Sequence, residues 1–176
     1  MPDWTRETPR ALWDPSRRML KSIRRYQRLR SEGLVARVRR LRWVLAHRFW
    51  TVVCGSDVPL NCQLGGGLLL PHPNGVVINP NAVIGENCLL FQQVTIGTGP
   101  KPGVPTLGYH VDVGAGAKIL GGVRIGDHAR IGANAVVVDD VPDGCTAVGV
   151  PARILSAKLQ QGRGDGAELS QGKTSA

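Results

Sequence analysis

The chain has 176 residues, with 22 Lys and Arg against 13 Asp and Glu and a formal net charge of +9. That length suits one domain with an appendage, and a 42% apolar content supplies a core, which excludes a wholly disordered chain. No apolar run reaches the ~18 residues of a membrane span, and the first residues lack the apolar stretch of a secretory signal. Cys54, Cys62, Cys88 and Cys145 show no C-x-x-C and no disulfide-framework spacing, so a reduced cytoplasmic chain is expected.

Charge and aromatics are both concentrated early. Residues 1–50 hold 14 Lys and Arg against 4 Asp and Glu, while residues 51–176 hold 8 against 9. In the early segment, Asp14-Pro15 predicts a helix start, a capping residue followed by proline at the first helical position. Met19, Leu20, Ile23 and Tyr26 follow at helical spacing, and Gly33 breaks the run. Leu34, Val38, Leu41 and Leu45 then predict a second amphipathic helix ending near Trp50. Three readings of these basic helices stand side by side. One is a solvated arginine face packed on the rest of the protein by its apolar stripe. The second is contact with anionic lipid or a membrane-bound glycosyltransferase, because Trp and Arg together suit an interface. Nucleic-acid binding is the third and is not expected, since no recognition motif accompanies the charge.

A period of six governs the middle of the chain. Branched aliphatic residues fall at Val58, Leu64, Leu70, Ile78, Ile84, Leu90, Ile96, Leu107, Val113, Ile119, Ile125, Ile131 and Val137, and seven of the thirteen are followed directly by glycine. Four residues after each, the side chain is usually small, as at Cys62, Ala82, Cys88, Ala117, Ala129 and Ala135. Six residues turn an α-helix by ~600°, which does not return to one face, so the repeat is a short strand plus a tight turn. One such unit cannot bury its own aliphatic residue, so the units must stack, and with only Phe91 and Tyr109 as aromatics beyond residue 50 their shared core must be narrow.

The ladder slips twice. Two extra residues stand between Leu70 and Ile78, around Pro71-His72-Pro73-Asn74-Gly75, and five stand between Ile96 and Leu107, forming a loop over 98–106. Breaks in a strict repeat are where a solenoid carries function. One of only four histidines, His72, sits in the first break. If every third hexad shares a face, His72, Gln92, Ala115 and Ala133 line one corner, and small residues beyond the histidine leave a shallow groove. Asp57 enters the same face one coil earlier, about 4.8 Å away at the parallel-strand spacing. A histidine base so held can take the proton of an attacking hydroxyl.

Residues 57–154 resemble the serine O-acetyltransferase family of hexapeptide-repeat, left-handed parallel β-helix acyltransferases, including its divergent members associated with polysaccharide clusters. The matching motifs are Leu70-x-His72-x-x-Gly75, Val94-Thr95-Ile96-Gly97, the run from Gly114-Ala115-Gly116-Ala117 through Gly121, and the closing Gly149-Val150-Pro151-Ala152-Arg153-Ile154. The resemblance implies a mainly β fold, acetyl-CoA as co-substrate and no metal, and a homotrimer with its sites between neighbouring prisms. It implies His72 as catalytic base with Asp57 as its acidic partner, and coenzyme A held around Gly97, Lys101, Gly114, Ala115, Arg130 and Ala133. Two departures stand out: Pro71 replaces the family's aspartate before the histidine, and Gly103 and Val104 replace an Arg-His pair, all of which serve the bound serine. L-Serine is therefore the acceptor by family, and a sugar hydroxyl is the acceptor if those losses decide. His110 is a candidate partial substitute or a plain turn histidine. A non-catalytic β-helix scaffold is the remaining reading. The expected organisation is a basic α-helical region over 1–55, a β-helix acyltransferase domain over 56–156 and a flexible polar tail over 157–176.

Overall fold

The computed structural model describes residues 1–29 and 33–155, so the tail expected at 157–176 lies outside the described residues. A 3-10 turn at Trp4–Glu7 leads to helix α1 at Pro15–Gln27, as the Asp14-Pro15 signal predicts. Asp14 sits at the cap position but makes no side-chain cap hydrogen bond. Its carboxylate instead accepts from the Arg10 backbone N–H and the Arg17 guanidinium, both at 3.1 Å.

Helix α2 spans Leu34–Cys54, one turn longer than the hydrophobic spacing suggests. The cap explains the extra turn: Gly55 adopts φ 60°, and its N–H and that of Ser56 close onto the Val52 and Thr51 carbonyls. A β-branched Thr51-Val52-Val53 run is a weak helix former, and this glycine cap carries it. Among the described residues, no helix is long and apolar enough to cross a membrane.

The rest is a three-sided parallel β-helix. One face stacks Gln63–Leu64, Val83–Ile84, Thr106–Leu107 and Arg124–Ile125. The second stacks Leu89–Leu90, Asp112–Val113, Arg130–Ile131 and Thr146–Val148, and Arg153–Leu155 folds back antiparallel on its last strand. The third stacks Val77–Ile78, Thr95–Gly97, Lys118–Leu120 and Val136–Val137. All thirteen ladder residues point inward and are buried, with the small residues of the repeat beside them. Burial raises the thiols of Cys54, Cys62 and Cys88 to about 11, so they are protonated core residues.

The helices close one end of this prism. Met19, Leu20 and Ile23 of α1 are fully buried and belong to the same apolar core. Arg24 ties the cap together. Its guanidinium donates to both Glu7 carboxylate oxygens at 3.0 and 2.8 Å and to the Leu64 and Gly65 carbonyls at 2.5 Å each. Glu7 also accepts from the Leu68 N–H at 3.1 Å. His47 of α2 is buried, with Nδ1 at 3.2 Å from Ser22 Oγ and a further bond to the Val58 backbone. Its loss of solvent lowers its pKa from 6.5, although the Val58 bond and the Asp57 charge oppose the shift.

The apolar stripe of α2 does not pack on the prism, contrary to the first reading of these helices. Leu34, Val38, Leu41 and Leu45 are exposed, while Ala36, His47 and Cys54 face inward. The physical reason is that α1 already fills the end of the core, so α2 packs through its small and polar side.

Two outcomes follow. Arg24→Ala leaves Glu7 buried without its charge partner and is expected to destabilise the protein by about 3 kcal/mol, read as a lower Tm. His47 has a depressed pKa in the folded state, so it contributes stability above pH 6.5 that is lost as pH falls below that value. A Tm-against-pH series is expected to show this acid-side loss, and His47→Gln is expected to flatten it.

Candidate active site

The first break occupies the corner between the second and third faces. Leu69 bridges Leu89 on one side and Asp57 bridges Val77 on the other, so residues 71–76 turn between the two faces. The stacking at this corner is set by backbone bonds: Gln93 N–H to the Asn74 carbonyl, Gly116 N–H to Gln92, and Asn134 N–H to Ala115. Asn74, Gln92 and Ala115 are therefore in register, with Ala133 next. His72 is not in that column, which corrects the arithmetic from the sequence. The two extra residues push Pro71 and His72 out as a bulge, and Asn74 takes the place in the stack. His72 is exposed on that bulge.

His72 faces an open cleft of about 680 Å³. Its floor is Leu69, Leu70 and residues 71–74, and its opposite wall comes from the helical region: Arg10, Trp13, Asp14, Arg17, Val53 and Cys54. The Arg17–Asp14 pair is largely shielded from solvent, with side chains 14% and 12% exposed. Burial alone raises the Asp14 pKa, but the Arg10 N–H and the Arg17 guanidinium outweigh it and hold the group below the usual carboxylate range. Trp13 packs edge-on against Trp50, with centroids 5.7 Å apart, and Arg18 lies 5.6 Å over the Trp50 ring, which fixes this wall to α2. The sequence reading used Asp14 only as a helix cap. The signal that could have singled it out is its isolation, since it is the sole acid between Glu7 and Glu32 in a stretch dense with arginine.

Asp57 lies where expected along the chain, one coil before the face that the His72 turn enters. Its N–H donates to the Val76 carbonyl at 2.8 Å, and its side chain is exposed. Among the described residues, no ion pair or hydrogen bond joins Asp57 to His72; its charge acts on His47 and Cys62.

The remaining candidates divide between two corners. Gly114, Ala115 and Ala133 share the His72 corner, and Arg130 lies exposed on the face that leads into it. A side chain on Gly114 would run into the Ala133 backbone N at 2.6 Å, so this corner stays narrow. Gly97 ends a strand of the third face, and Lys101 belongs to the second inserted loop around the next corner. That loop is seated by glycines. Gly121 has φ 84° and its N–H bonds the Gly97 carbonyl, and a side chain on Gly122 would collide with the Pro102 carbonyl. Lys101 Nζ lies 3.6 Å from Asp140, both exposed. His110 is on the third corner, stacked on His128 with centroids 5.1 Å apart and 3.2 Å from Asn87 Nδ2, so within one chain it does not join the His72 cleft.

A prism of stacked hexads is the fold that this chain shares with solved hexapeptide-repeat transferases. Within that class, the chain is similar to serine acetyltransferases. The enzyme of Synechococcus elongatus is 46% identical over 107 residues, covering 59% of this chain and 44% of that one. That of Helicobacter pylori strain J99 is 45% identical over 107 residues, covering 59% and 63%. Among solved structures, Neisseria gonorrhoeae serine acetyltransferase in complex with serine superposes with a TM-score of 0.68 at 35% identity, over 82% of this chain and 58% of that one. A serine acetyltransferase in complex with CoA gives 0.66 at 32% identity over the same shares. No protein-family model matches the chain. The chain has the left-handed β-helix fold of these serine acetyltransferases, and it spans about half the length of the curated relatives it matches.

Proposed function

We propose that the protein is an acetyl-CoA-dependent O-acetyltransferase that acetylates the hydroxyl of L-serine. The observation that carries this reading is the cleft that His72 lines together with Asp14, Arg10 and Arg17, in which Asp14 and Arg17 form an ion pair at 3.1 Å. An α-amino acid presents an ammonium and a carboxylate, and it needs partners of both signs. Pro71 and Val104 leave those partners missing from the β-helix, and the helical wall supplies charges of both signs in their place. A sugar hydroxyl needs neither, so the cleft favours the amino acid.

In this reading His72 takes the proton from the acceptor hydroxyl as its oxygen attacks the thioester carbonyl. It then returns that proton to the departing coenzyme A thiolate, leaving the imidazole neutral again. Such base catalysis contributes on the order of 10²–10⁴ in rate. Asp57 acts on the imidazole only if the side chains close on each other once substrate is bound. Gly114, Ala115 and Ala133 suit an extended pantetheine arm because no more than a methyl group projects from them, and Arg130 suits a phosphate. Gly97 and Lys101 lie around the next corner of the same prism, which supports a homotrimer in which a neighbouring copy brings them to this groove. Residues 1–55 then act as the helical cap and 56–156 as the acyltransferase body.

Free-thiol release from acetyl-CoA, followed with L-serine and with simple sugars as acceptors, tests this. L-Serine is expected to drive turnover. His72→Ala is expected to lower kcat by about 10²–10⁴ while acetyl-CoA still binds. Asp14→Asn is expected to raise KM for serine by roughly tenfold or more, the loss of one charge-assisted contact, with a smaller effect on kcat. Turnover with a sugar and none with L-serine would overturn the amino-acid reading.

A further inference from the structure

The outward face of α2 is the largest feature that the proposed reaction leaves unused. At ~100° per residue, Leu34, Val38, Leu41, Leu45, Phe49 and Val52 fall within an arc of about 80°. They are 78, 61, 56, 58, 54 and 82% exposed, and they point directly away from the inward Ala36, His47 and Cys54. Arginines edge the stripe on both sides: Arg42 along one margin, Arg37 and Arg48 along the other, all exposed. The whole helix carries five arginines and no acidic residue.

We infer that this face of α2 docks the protein on an anionic phospholipid surface, with the helix lying in the plane of the interface. An apolar stripe of six residues with arginine on both margins buries its apolar side chains at the headgroup boundary, and the guanidinium groups meet lipid phosphates. Charge complementarity selects this occupant over a second copy of the chain. Pairing α2 with itself would bring the margin arginines of two helices together, with no acid on either helix to neutralise them. The docking is independent of the reaction at His72, although the same helix ends at Val53 and Cys54 in the wall of the His72 cleft. An enzyme so placed would work beside a membrane, facing substrates made or used there.

The full-length protein, tested by flotation with phosphatidylcholine vesicles with and without phosphatidylglycerol, decides this. Binding is expected only when phosphatidylglycerol is present, and it is expected to weaken with added salt. Leu41→Asp with Leu45→Asp is expected to abolish binding, and Arg37→Gln with Arg42→Gln and Arg48→Gln to weaken it roughly 100-fold. Both variants are expected to keep the wild-type helical circular dichroism and thiol-release rate, because these side chains project into solvent away from the cleft. No binding to phosphatidylglycerol vesicles, or binding indifferent to both variants, would overturn the proposal. So would loss of oligomeric mass by light scattering in the Leu41/Leu45 variant without vesicle binding by the wild type, which would assign the stripe to a second copy of the chain.

Discussion

Every hexad of this chain has one aliphatic side chain that it cannot bury by itself, and that constraint shapes the rest of the molecule. The side chain reaches an apolar environment only when the next coil lies directly above it, at the spacing of parallel strands. Thirteen residues from Val58 to Val137 satisfy the condition together and are all buried. A core of this kind tolerates no insertion on a face, because one extra residue there would turn the following side chains outward. Extra residues are accommodated only at corners, and both inserts of this sequence are found at corners. His72 owes its exposed position to that rule.

An open stack also has ends, and an uncovered end exposes both apolar surface and unpaired strand groups. Here the first end is covered by α1, whose Met19, Leu20 and Ile23 extend the aliphatic column. Arg24 and Glu7 then fix the angle of approach by binding each other and the backbone at Leu64, Gly65 and Leu68. The same placement carries Arg10, Trp13, Asp14 and Arg17 over the His72 corner. Capping the core and walling the His72 cleft are thus two consequences of one docking geometry.

The repeat made most of the fold legible before any coordinates. A period of six excludes a helix, places each inward side chain and locates both breaks, and the Asp14-Pro15 signal marks the start of α1. The site was legible in part. His72 is conspicuous because it is a histidine in a broken repeat, but counting two residues from the ladder put it in the column that Asn74 occupies, since counting cannot tell which residues of an insert bulge out. The wall opposite was not legible at all. Residues 10–17 and 72 are brought together by a docking angle that rests on Arg24, and nothing local in the sequence encodes it. For α2 the spacing of apolar residues gave a correct stripe and the wrong direction, because periodicity defines a face without saying what lies against it.

In the proposed function, the helical cap and the β-helix form the acceptor site jointly. A crystal structure of the protein with L-serine and coenzyme A tests it most directly. The serine hydroxyl is expected within hydrogen-bond reach of the His72 imidazole, its ammonium at Asp14 and its carboxylate among Arg10 and Arg17. Serine bound entirely by the β-helix, with the Asp14 wall turned away and making no contact, would contradict it.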